Sequence, residues 1–151
     1  MLSKNSIAAA LGLAFALCAG AAHAQAPATA DENSSRLHAA WEDVLESEGK
    51  LLDERQFAKL TQLAYQAAAV RVCDAHKLDN AAVAATLNDV LSVSDKNLSA
   101  EQVEERKAAI LISFGARYGL FIAEAHTDKT VFCEDAGKFK DKPEGAPVYL
   151  K

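Results

Sequence analysis

The chain has 151 residues, 50% of them hydrophobic and 25% charged, with 16 Lys and Arg against 21 Asp and Glu for a formal net charge of −5. This is the balance of a folded domain rather than a disordered chain. The acidic excess argues against a nucleic-acid partner and against anionic membrane surfaces, because both are bound by clustered Lys and Arg. The strongest basic run, KFKDK at 138–142, is diluted by Asp141.

The first residues carry the features of a secretory signal peptide. Lys4 precedes an uncharged apolar run from Ile7 to Ala19, and Ala22-His23-Ala24 supplies the small-x-small pattern cut by a signal peptidase. The run is short for a membrane span. Cleavage is expected between Ala24 and Gln25, with residues 1–24 removed. Cys18 follows Phe15-Ala16-Leu17 and is not placed for lipidation. The mature chain would keep 127 residues, with 15 basic and 21 acidic ones and a charge of −6. That length is enough for one domain with a real core. The short Ala-rich leader points to the bacterial periplasm.

Residues 25–33, with Pro27 and no apolar period, read as a disordered leader. Ser34 or Ser35 can cap a first helix, in which Leu37, Trp41, Val44 and Leu45 recur at helical spacing up to Gly49. Asp53 and Gln56 form a capping-box start for a second helix, with Phe57, Leu60, Leu63 or Ala64, Ala67 and Val70 as its inward stripe. Asp79 opens a third helix with Val83, Leu87, Val90 and Leu91 inward, and VSDKN (93–97) reads as a turn. Ser99 and Gln102 form a second capping box and start a long helix to about Ala125 or His126. Thr127 or Asp128 caps a short last helix, and residues 139–151 read as a flexible tail. Strand signals are nearly absent. The expected fold is all-α: a single-domain bundle of four to five helices over 34–138, with one disulfide.

Ala108 to Ala123 is the most apolar stretch, with Arg117 as its one charge. A central Arg costs about 2.5–3.5 kcal/mol in a membrane helix, and charged flanks extend the segment, so a soluble core helix is expected. Gly115 and Gly119 form a Gly-x-x-x-Gly pattern, read as a site of close helix packing, with the Ala-rich second helix as the neighbour. This face and the single Trp41 suit a homodimer as well as a monomer core. Arg117 must either reach solvent or meet a buried carboxylate from another helix, as an ion pair or the floor of a pocket.

With Cys18 gone, Cys73 and Cys133 remain as an even pair in an oxidising compartment, and a disulfide is expected. The competing arrangement is a Cys₂His₂ metal site from Cys73, His76, His126 and Cys133, since Cys73 and His76 share a helix face. It lacks the Cys-x₂₋₄-Cys start of zinc fingers. The histidines are equally well placed to meet the last carbonyls of their helices.

No nucleophile elbow, His-Glu-x-x-His, P-loop, dinucleotide fingerprint or haem motif is present in the sequence. The acids of WEDVLESE and EQVEERK read as solvated helix faces. No catalytic residue and no cofactor are therefore expected. The reading is a small exported non-enzymatic helical protein acting through protein–protein contacts, of adaptor or inhibitor type, with an unidentified protein partner. The alternatives are an acid-stress chaperone and a metal- or small-ligand-binding protein.

Overall fold

The structure is a computed structural model that describes residues 29–49, 51–92 and 97–151. The predicted signal peptide, Cys18 and most of the 93–97 turn lie outside the described residues. Five helices follow in order: α1 (Ala30–Glu48), α2 (Glu54–Val72), α3 (Asn80–Leu91), α4 (Ala100–Thr127) and α5 (Lys129–Asp141). No strand occurs among the described residues, so the expected all-α fold is the one observed.

The helix starts are written in the sequence. Asp53 accepts from the Gln56 backbone N–H at 2.7 Å while the Gln56 side chain accepts from the Asp53 N–H at 3.2 Å. Ser99 and Gln102 repeat this reciprocal arrangement at the head of α4. Each box satisfies two backbone donors that a helix start leaves without partners. Asp79 caps α3 and Asp128 caps α5 in the simpler one-way form. α1 begins earlier than expected, because Thr29 rather than Ser34 or Ser35 caps it, so residues 30–33 of the expected leader are helical. Gly49 closes α1 at φ 53°, a conformation that residues with a Cβ rarely adopt.

α2 and α4 form the centre. α1 packs on α4, α3 on α2, and α5 on both α2 and α4. One apolar cluster joins Ala68, Ala69 and Val72 of α2 to Ala125, Phe132, Ala136 and Leu150. A second joins Leu60, Val90 and Ile110 at the other end. Tyr65 is the hub of an aromatic network, with edge-on contacts to Phe121 at 5.4 Å and Phe132 at 5.2 Å. Phe121 in turn meets Trp41 of α1 at 4.8 Å. Burial pushes the Tyr65 hydroxyl up to about 12, with the negative charges of Asp135 and Glu124 adding to it.

The last residues correct the expectation of a flexible tail over 139–151. α5 continues to Asp141, and the chain then turns at Glu144 and Gly145 and runs back into the core. Tyr149 and Leu150 are buried. Gln66, fully buried on α2, accepts from the backbone N–H groups of Tyr149 at 2.6 Å and Leu150 at 3.2 Å, and donates to the Pro147 carbonyl at 2.9 Å. The Lys77–Asp79 segment pairs with the same residues: Asp79 N–H donates to the Tyr149 carbonyl at 2.7 Å and Lys151 N–H to the Lys77 carbonyl at 2.8 Å. Irregular backbone is tolerated inside a protein when its polar groups are satisfied in this way.

Candidate functional site: the open face of α4

The cysteines meet at the end of α2. Cys73, its C-cap residue, is joined to Cys133 of α5 with the Cα atoms 5.7 Å apart. Sulfurs bonded to each other offer no thiolate to a metal, so the Cys73, His76, His126 and Cys133 ligand set is not formed. The described residues hold no cluster of three or more His, Cys, Asp or Glu suited to a metal ion. His76 follows α2 and keeps a buried Nδ1 without a hydrogen-bond partner. His126 lies exposed in the last turn of α4.

Arg117 does not reach solvent. It is fully buried, and its guanidinium is bound on every side. One Nη pairs with the Glu48 carboxylate and the other with the Ser113 hydroxyl, while Nε donates to Thr61 Oγ1 at 3.1 Å. The Phe57 ring lies under the Cζ at 4.8 Å. The Glu48 side chain is 4% exposed. This is a buried ion pair tying α1 and α2 to α4, and its partners Glu48 and Ser113 also line a cleft between α1 and α4 beside Ile112.

The two glycines also depart from expectation. The face of α4 that meets the core carries Ile110, Arg117 and Ala125, the only α4 residues that are buried. At about 100° per residue, Gly115 lies on the far side from Arg117. Gly115 and Gly119 are exposed, and a Cβ on either would meet no atom of another helix within 4 Å. The Ala-rich α2 does pack closely on α4, but through the opposite face. Spacing alone shows that the glycines share a face; it does not say which side of the helix the rest of the chain will cover.

Ile112, 73% exposed, and Leu111, 49% exposed, stand on the same open side as the glycines, with Ala108 one turn before them. Leu111 and Ile112 are two of only four large hydrophobics exposed among the described residues; the others, Leu45 and Val131, lie on α1 and α5. The face is acidic at its start, with Glu101, Glu104 and Glu105, and ends at His126, with Lys129 just beyond. By length and composition α4 is apolar enough to cross a membrane, and little of its apolar stretch is enclosed here, which corrects the expectation of a buried core helix. An apolar, uncharged middle between polar ends is suited to excluding water against another surface. The sequence signal for this was the apolar run itself, whose width exceeds the stripe needed for one core-facing side. Comparison with known proteins finds no matching family model, no matching curated protein and no matching solved structure.

Proposed function

We propose that this is an exported, non-enzymatic helical protein of the bacterial periplasm that works by docking against another protein chain, with the open face of α4 as the contact surface. The observation that carries this reading is Ile112, exposed in the apolar run Ala108–Ala123 of α4 and in line with two glycines that no other helix approaches. Exposed apolar groups of this kind gain roughly 25 cal/mol per Å² when a partner covers them. The scaffold behind the face is held by the enclosed Arg117–Glu48 pair and by the disulfide, so the surface is presented ready-formed. The signal-peptide features of residues 1–24 support export, and the Cys73–Cys133 bond suits an oxidising compartment.

A photo-activated cross-linker at position 112, in the cell that makes the protein, tests the reading. Cross-linking to a protein chain is expected at 112 and not from a control position on the exposed side of α3. Fractionation of the same cells should recover the product with the periplasm. A probe at 112 that reacts only with water or lipid would rule out the protein-contact surface.

A further inference from the structure

The open face of α4 has an order along it that fits itself when reversed. Its large side chains, Leu111 and Ile112, come before the midpoint, and its glycines, Gly115 and Gly119, lie at and after it. Its acids, Glu101, Glu104 and Glu105, are at the start, and His126 with Lys129 is at the end. We infer that this face pairs with the same face of a second copy, in an antiparallel, twofold-symmetric dimer whose helices cross beside Gly115. The inference rests on reading α4 as a contact surface and names its occupant.

With the axis passing between Gly115 and Ala116, Ile112 lies over the partner's Gly119, and the partner's Ile112 over Gly119. Ala108 lies over the partner's Ala123. A large residue thus meets the space left by a glycine on each side of the axis, and the backbones approach closely at the crossing, as small residues allow. Glu105 comes opposite the partner's His126, and Glu101 comes beside the start of the partner's α5, where the exposed Lys129 sits 3.8 Å from Asp74 of its own chain and would be shared between the two acids. A parallel pairing would place Ile112 on itself and the three glutamates against three glutamates, a like-charge contact that costs stability. A twofold axis closes the assembly at two chains. The face is one helix wide, so association in the micromolar range is expected.

Sedimentation velocity on the chain expressed from its full sequence and purified from the producing cell, between about 1 and about 300 µM, tests this. The expected result is a reversible shift from one chain to two. Ile112→Glu and Gly119→Leu should each weaken association by about 30-fold or more, the size of a lost central contact, with unchanged circular dichroism because Ile112 is largely exposed and a Cβ at Gly119 meets no atom of another helix within 4 Å. A chain carrying Glu101→Lys and Glu105→Lys, and another carrying His126→Glu and Lys129→Glu, should each associate poorly alone and recover when mixed. A dimer that survives Ile112→Glu and Gly119→Leu overturns the inference. So does a chain that stays single throughout the range. In that case a residue 112 that still cross-links to a different protein in cells leaves the contact surface standing, and one that cross-links to nothing overturns both.

Discussion

Glu48 and Arg117, 69 residues apart, form an ion pair that is closed off from solvent, and it is the deepest attachment of α1 to the rest of the protein. α1 has no fully buried residue of its own, and its other prominent contact is the edge of Trp41 on Phe121. One carboxylate and one ring are therefore the deepest anchors of the first helix, with half-buried Leu37, Ala40 and Val44 adding to its contact with α4.

Removing the cation alone should be costly, because it leaves Glu48 buried without a counter-charge. Arg117→Met is expected to lower stability by about 3–5 kcal/mol, whereas Arg117→Met with Glu48→Leu should recover most of it. Urea titration followed by Trp41 fluorescence measures both. Trp41 is the single tryptophan and sits on the helix that would be released.

The C-terminal segment is held by one polar side chain. Gln66→Leu removes the acceptor used by the Tyr149 and Leu150 N–H groups and leaves both without that partner. A loss of about 3 kcal/mol is expected from two such groups. Hydrogen exchange at Tyr149, Leu150 and Asp79 should rise together in this variant. If only Tyr149 and Leu150 become faster, the pairing with the Lys77–Asp79 segment is independent of Gln66.

The disulfide closes a loop whose ends are 60 positions apart. Cys73→Ser with Cys133→Ser should cost about 4 kcal/mol on the chain-entropy account. The loss should appear first in α5, which is 13 residues long and too short to persist alone. Comparison of denaturation midpoints of the oxidised protein and the double variant measures it.

Acid should loosen α3 from both ends. Asp79, at its start, is held below the ordinary carboxyl value by the Ala82 backbone N–H first and by Lys151. Asp89, near its end, is held below it by the hydrogen bond from Lys59, with Lys59 and Arg55 charges adding. A carboxyl with a lowered pKa in the fold binds its proton less readily than in the unfolded chain. Its stabilisation is complete above the unfolded value of about 3.9 and is lost as pH falls below that, through the folded values. Glu124 acts in the opposite sense, since burial raises its pKa and protonation removes a penalty. Amide exchange between pH 5 and about pH 2.5 should therefore show α3 opening before α4. Simultaneous opening of all five helices would contradict this.

Much of the fold was legible because helix starts have local chemistry. Asp53 with Gln56 and Ser99 with Gln102 lie three residues apart and declare themselves. The disulfide followed from two cysteines and an inferred compartment. What sequence reading missed depends on long-range partners. Nothing near Gln66 says that a polar residue in an apolar stripe will bind a segment more than 80 residues away. Nothing near Arg117 decides between reaching solvent and meeting a buried carboxylate, and nothing singles out Glu48 over the other acids. The glycines were placed on a shared face correctly and on the wrong side of the helix. Their exposure depends on how the whole chain wraps α4.

The most direct test is the solvent accessibility of the Ile112 methyl group, measured by NMR with a soluble paramagnetic agent as protein concentration rises. Ile110, two residues earlier and fully buried, is the internal control. The Ile112 methyl should be strongly broadened in dilute protein and become shielded as chains associate, while Ile110 stays shielded throughout. An Ile112 methyl equally open to solvent at every concentration would contradict the pairing of α4 faces.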